Sequence, residues 1–273
     1  PITCVLSCIK VKSNKIFSSG YNITKSKMID QELSLKLKSF NKDGFIVLKI
    51  FDNKSIDKYK KKIVNNLKKS AKQKSINSLN SLTKLDNYFS SVTSNENKKL
   101  MDRDTRTIKI DAHDVNLIDK KLKNLLAYFS DKDYKIVRNG DKWSWNGKDI
   151  ENHAGFRIVK PNSKNVAGFH SDHYNLENFR FTLWVPLEGF DQKYSLKMIP
   201  GSHIYKHKKN VTTKNSNGTA SLLKEEYLDT LKKPYRPNLK KGEAILLHPY
   251  LIHGNSTNLG NKTRASLEIR IGA

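Results

Sequence analysis

Residues 168–173, Gly-Phe-His-Ser-Asp-His, follow a β-prone run and place an imidazole and a carboxylate two positions apart. On an extended chain such residues share a face, so His170 and Asp172 can approach one point in space. A third ligand must then come from elsewhere. His253, in Leu-Ile-His-Gly-Asn-Ser, is the best candidate: it ends another predicted strand, and Gly254 after it lets the chain turn tightly. Two histidines and one carboxylate on one face of a metal leave the opposite positions open, as non-haem Fe(II) oxygenases require. An isolated His-x-Asp is a weak signal. Arg264, eleven residues after His253 at the start of the last predicted strand, strengthens it. An oxygenase using 2-oxoglutarate needs a fixed cation for the distal carboxylate, and the planar guanidinium fork binds one through two hydrogen bonds. Ser266, two positions on, adds a hydroxyl on the same face. Of 51 basic residues only eight are Arg and 43 are Lys, so an Arg here is informative.

These side chains need strands to position them. After residue 150 the chain becomes a series of short β-prone runs separated by Gly, Pro, Asn or Lys clusters, which argues for an all-β sandwich or barrel rather than a βαβ sheet. The preceding part reads as mostly helical support. A helix opens near Met28 and is closed by Gly44; "FIVLKIF" (45–51) is a strand; Ser55 fits the N-cap of a helix with the stripe Ile56, Tyr59, Ile63 and Leu67. Residues 70–100, rich in Ser, Asn and Lys, read as a long mobile connection. Asp114 fits the cap of a further helix with the stripe Ile118, Leu122, Leu125 and Phe129. The expected organisation is residues 1–27 as a leader or truncated tail and 28–273 as a single domain. Within it, 28–150 are the helical support and 151–273 the β core.

The net charge of +25 invites a polyanion-binding reading. The Lys residues are scattered, however, and show neither Arg clustering nor aromatic interleaving, so a solvated Lys-rich surface is expected and nucleic acid is not. An anionic small-molecule substrate remains compatible. Two cysteines, Cys4 and Cys8, make neither a disulfide framework nor a zinc site, which fits a reducing cytoplasm. No apolar run approaches the ~18 residues of a membrane span.

Taken in order, "HSD", "FTLWVPLEGF", "LKMIPGSH", "KKGEAILLHPYLIHGNS" and "NKTRASLEIR" resemble the signatures of the phytanoyl-CoA dioxygenase family, and "FNKDGFIVLKIFDNKSID" resembles its N-terminal opening. The resemblance runs over residues 34–273, loosest between 70 and 150. It implies a mostly β fold with supporting α-helices around a double-stranded β-helix, the cupin-like jelly roll. That core would hold Fe(II) and take 2-oxoglutarate and O2 as co-substrates. Carried onto this chain, His170, Asp172 and His253 are the iron ligands and Arg264 is the 2-oxoglutarate clamp. Trp184 lines the co-substrate pocket, and Asn255 is a small polar neighbour able to contact it. A Lys-rich insertion at 206–241 departs from the family pattern and, with residues 70–150, shapes the substrate entrance.

Other residues compete for roles. His173 points to the opposite strand face. His248 is a rival third ligand, but the Gly-Asn-Ser after His253 and its spacing to Arg264 favour the later residue. His203 reads as structural, and His153 and His207 as solvent-facing. Arg157 is either an inner-wall cation for substrate or co-substrate, or half of an ion pair. Trp143 and Trp145 either line the substrate mouth or pack as a hairpin on the barrel. Asp172 stands where a small residue would open a halide position, which favours hydroxylation over halogenation. The expectation is an Fe(II)- and 2-oxoglutarate-dependent dioxygenase hydroxylating an unactivated C–H bond of a small or lipid-like metabolite. A non-catalytic cupin-type metal- or ligand-binding module is the alternative.

Overall fold

One strand shows how the sequence divides its labour. In β10 (Arg264–Gly272), Ala265, Leu267, Ile269 and Ile271 enter the apolar core, while Arg264, Ser266, Glu268 and Arg270 alternate onto the other face. The computed structural model describes residues 23–102, 105–127, 135–138, 150–163, 168–172, 180–204, 212–214, 221–254 and 256–272.

β10 pairs antiparallel along its length with β6 (Arg180–Glu188). Its other edge is shared by β5 (His153–Val159) and β3 (Lys135–Arg138). Beyond β6 lies β9 (Glu243–Leu247) and then β1 (Phe45–Lys49); β2 (Thr107–Lys109) pairs with β5, and β4 (Ile150–Glu151) with β3. The register sets Thr182 opposite Arg270 and Trp184 opposite Glu268, so these four share the polar face. A second layer consists of short segments joined by bridges: His170 with His253, Met198 with His253, and Met198 with Tyr235. Two antiparallel layers around a cavity form the jelly roll.

Helices cover the apolar face of the large sheet. These are α1 (Ile23–Asp43), α2 (Asn53–Gln73) and α5 (Ala112–Leu126), whose buried residues join Phe181, Leu183 and Val185 in one core. The expected stripes are all buried: Ile56, Tyr59, Ile63 and Leu67 on α2, and Ile118, Leu122 and Leu125 on α5. Phe129 lies outside the described residues. Gly44 ends α1 at φ +78°, with its N–H on the Phe40 carbonyl at 2.7 Å, as a left-handed cap requires. The helix itself begins at Ile23, ahead of Met28. Among the described residues no helix is long and apolar enough to cross a membrane.

Three expectations are corrected. The N-cap of α2 is Asp52, which accepts from the Ser55 N–H at 2.7 Å, so Ser55 sits inside the first turn. The residue before α5 is Asp111, and Asp114 lies within that helix, fully buried. Residues 70–100 are not a loose connection. They contain two 3₁₀ turns (Asn77–Leu79 and Leu85–Asn87) and two short helices, α3 (Tyr88–Ser91) and α4 (Ser94–Leu100). Sparse apolar residues hold them down: Leu79, Leu82, Leu85, Tyr88 and Leu100 are all buried. A Thr93–Glu96 capping box starts α4. Polar composition hid the segment because a few anchors sufficed.

The displaced Ser55 and Asp114 belong to one network. Asp114 accepts from Ser55 Oγ at 3.0 Å, Tyr59 OH at 2.7 Å and Lys58 Nζ at 2.6 Å, tying α5 to α2. Replacing Asp114 by Ala leaves two buried hydroxyls without their acceptor, while Lys58 keeps its ion pair with Asp111 at 2.9 Å. We expect the denaturation midpoint to fall by an amount equivalent to about 2–4 kcal/mol, measured by urea unfolding.

Candidate metal centre

His170 and His253 face each other across a two-way backbone bridge, each N–H donating to the other's carbonyl at 2.9 Å. The bridge sets the rings 4.6 Å apart, centroid to centroid. Each Nδ1 lies against a carbonyl two residues back, Gly168 O at 2.9 Å and Leu251 O at 3.0 Å. Nδ1 therefore carries the proton and each Nε2 presents a lone pair. Both lone pairs are aimed at Asp172 Oδ1, which lies 4.0 Å from Nε2 of His170 and 3.8 Å from Nε2 of His253. The three ligand atoms lie within 4.8 Å of one another, the one such group among the described residues.

Gly254 makes this approach close. At φ +118° it occupies a conformation that a side chain resists, and a Cβ there would sit 2.5 Å from the Gly168 carbonyl and 3.0 Å from His170 Nδ1.

The other oxygen of Asp172 is occupied. Oδ2 accepts from Thr182 Oγ1 at 2.5 Å and from Arg270 Nη1, which also reaches Thr182. Burial alone would raise the Asp172 carboxyl, but Arg270, then His253 and His170, hold it well below the usual carboxylate range. Asp172 thus offers one charged oxygen inward and keeps the other for the protein. Burial, and next the charge of His253, push the His170 imidazole down to about 4, so it is neutral at ordinary pH. Two imidazoles that turn Nε2 inward and an ionised carboxylate suit a divalent cation.

The centre opens into a cavity of about 250 Å³ between the two layers. Trp184, buried, and Arg264 both line it. Arg264 is 6% exposed; its Nη1 donates to Ser256 O at 2.6 Å while its Nε finds no partner. Burial, then the charges of Arg157 and Arg236, bring its guanidinium down to about 10. A buried cation at a cavity wall, with one of its donors unsatisfied, fits a carboxylate ligand.

Ser266 shares the β10 face and is buried, while its neighbours Arg264, Glu268 and Arg270 form the cavity wall. Arg157 also lines the wall and is ion-paired with Glu268. Burial would raise the Glu268 carboxyl, but Arg157 and Arg270 bring it down to about 2. Asn255, His173, His207, Trp143 and Trp145 lie outside the described residues. His248 is remote from the ligands, among Phe40, Phe181, His203 and Tyr250. His203 meets the Asn41 carbonyl through Nε2 at 3.0 Å, a structural contact. His153 lies on β5, opposite Lys109, and is partly exposed. From the Lys-rich insertion, β7 (Thr212–Lys214) and β8 (Ser221–Leu223) form a hairpin, and α6 (Glu225–Leu228) follows; Leu223 donates its N–H to the Phe169 carbonyl at 2.8 Å.

Sequence reasoning missed Arg270, Thr182 and Arg106 as members of the site. For Arg270 a signal existed: it lies an even six positions after Arg264 on one predicted strand, hence on the same face. The same signal existed for Thr182, two positions before Trp184 on one predicted strand, whereas Arg106 carried none.

The sequence of residues 40–266 matches the phytanoyl-CoA dioxygenase family model. No curated protein matches the chain. Among solved structures it is similar to EctD from S. alaskensis with 2-oxoglutarate and 5-hydroxyectoine, at 19% identity and a TM-score of 0.56 over 88% of this chain and 76% of that one. It is also similar to the epimerase SnoN in complex with Fe3+, alpha ketoglutarate and nogalamycin RO, at 11% identity and 0.52 over 89% and 84%. The third is the carbocyclase SnoK from nogalamycin biosynthesis, at 8% identity and 0.51 over 87% and 83%. At these identities the likeness is one of fold.

Two measurements test the geometry. Gly254→Ala must pry the ligand segments apart, and Fe(II) affinity by anaerobic titration is expected to fall about 10- to 100-fold. The second concerns pH. An unfolded histidine titrates near 6.5, above the folded value of about 4 for His170, so the unfolded chain binds the proton more readily. Stability of the metal-free protein therefore rises with pH between those values and levels off above, by about 1–3 kcal/mol. Denaturation midpoints measured across this window should show the slope, flattened in His170→Gln.

Proposed function

This chain belongs to the phytanoyl-CoA dioxygenase family of Fe(II)- and 2-oxoglutarate-dependent oxygenases, and from that premise we propose a hydroxylase in which His170, Asp172 and His253 hold Fe(II) and Arg264 holds 2-oxoglutarate. One observation carries the assignment: the three ligand atoms converge, and two of their residues, His170 and His253, line the same cavity as Arg264, a buried guanidinium with one unsatisfied donor. The strand β1, from the helical half, pairs with β9 of the β half, which supports reading residues 28–273 as one oxygenase domain.

Bound Fe(II), with 2-oxoglutarate and O2, supplies an oxidant able to remove hydrogen from an unactivated C–H bond. The balanced reaction consumes substrate, 2-oxoglutarate and O2, and yields hydroxylated substrate, succinate and CO2. The protein's part is positional. Gly168 O and Leu251 O hold both imidazoles as Nδ1–H tautomers with Nε2 inward. Thr182 and Arg270 restrain Asp172 to a single inward oxygen, which leaves more of the metal's surface for exchangeable ligands. Arg264, steadied by the Ser256 carbonyl, takes the far carboxylate of 2-oxoglutarate through its remaining N–H groups. Trp184 supplies an apolar wall beside it and limits water in the cavity. A carboxylate at 172 keeps three protein ligands on the metal, consistent with hydroxylation. A cavity of about 250 Å³ favours a small metabolite over a long acyl chain.

Anaerobic addition of Fe(II) and 2-oxoglutarate should produce a weak visible charge-transfer band. Asp172→Ala and Arg264→Ala should abolish it at moderate 2-oxoglutarate, with Arg264→Lys recovering part of the affinity. A wild-type protein with no band would overturn the assignment and favour a non-catalytic cupin-type module.

A further inference from the structure

Four of the chain's eight arginines, Arg106, Arg157, Arg264 and Arg270, line this cavity, and none of the lysines among the described residues does. Three of them have work. Arg157 pairs with Glu268, Arg270 with Asp172, and Arg264 is assigned to 2-oxoglutarate. Arg106 has no carboxylate within ion-pair distance among the described residues; its Nε donates to the Asp102 carbonyl at 3.3 Å.

Arg106 is also held in place. Its carbonyl accepts from Phe156 N–H of β5 at 2.9 Å, next to Arg157, and its own N–H donates to Asp102 O at 3.2 Å. Asp102 Oδ1 in turn accepts from Thr105 N–H at 2.8 Å, and the Thr105 hydroxyl bonds to Ser70 on α2 at 2.7 Å. The turn carrying Arg106 is therefore fixed by a strand on one side and a helix on the other. Burial, and then the charge of Arg157, depress the Arg106 guanidinium, yet an arginine keeps its proton at neutral pH. Glu268 and Asp102 offset this in part, but neither carboxylate pairs with Arg106, so its remaining N–H groups can take an anion from the cavity.

We propose that Arg106 anchors a carboxylate of the primary substrate, so that the enzyme hydroxylates an organic acid. This rests on the oxygenase reading above and narrows it. The planar fork orients the acid as well as binding it, setting which C–H bond faces the metal. Arg106 is a specificity-determining residue.

The test screens small amino and hydroxy monocarboxylic acids beside their amides and methyl esters, with succinate release as the readout. An acid should stimulate release where its own amide and ester do not. For that acid, Arg106→Gln should raise KM roughly 10- to 100-fold with kcat little changed, and Arg106→Lys should recover part of the loss. The charge-transfer band with Fe(II) and 2-oxoglutarate should persist in Arg106→Gln, which separates substrate binding from folding and from the co-substrate site. Stimulation by neutral compounds only, by no acid, or an unchanged KM in Arg106→Gln each overturns the assignment to Arg106 while the band stands. Loss of the band from the wild type instead removes the oxygenase reading itself.

Discussion

Placing an ionised carboxylate inside a jelly roll, against two imidazoles, is the constraint on which the site depends. A buried carboxylate without compensation takes up a proton and loses its value as a ligand. Arg270 prevents this at Asp172, and Thr182 fixes the direction of the lone pairs. The pair comes from β10 and β6, strands in the middle of the sheet, so the charge is tethered to strands paired on both edges. The two histidines lie in the opposite layer and are locked to each other by backbone hydrogen bonds. The centre therefore exists only where the two layers come together.

The alternation of β10 links stability to chemistry. Ala265, Leu267, Ile269 and Ile271 secure the strand in the apolar core, and the same pleat aims Arg264, Glu268 and Arg270 at the cavity. A slip of one residue would exchange the two sets. The apolar set thus specifies the register for the polar set. Arg264 pairs with Val159 of β5, and the pleat turns its buried side chain to the cavity wall.

Much of this was readable from residue types alone. The triad, Arg264 and the β-rich second half were visible because metal ligation and strand alternation leave local spacings: two positions between His170 and Asp172, a glycine after His253. The helix stripes Ile56–Leu67 and Ile118–Leu125 were visible for the same reason. Their caps were misplaced because Ser55, Asp52, Asp111 and Asp114 are all chemically competent caps, and only the tertiary contact between α2 and α5 decides which ones are diverted into a buried network. Residues 70–100 were misread because composition reports average polarity, whereas a few buried apolar side chains fix the segment. Arg106 joins the site through its pairing with β5 across a long separation, which no local window contains.

The hairpin of the Lys-rich insertion has a consequence for how such enzymes diversify. Its β8 strand donates an N–H to the carbonyl of Phe169, the residue immediately before a proposed iron ligand, and Leu223 packs with Phe169, Ile199 and Ile252. Ile252 in turn immediately precedes the other histidine. The insertion and the proposed metal ligands are therefore stitched to the same few peptide groups. Exchanging this insertion between relatives must retain that short edge contact, or a graft meant to alter selectivity will loosen the iron as well.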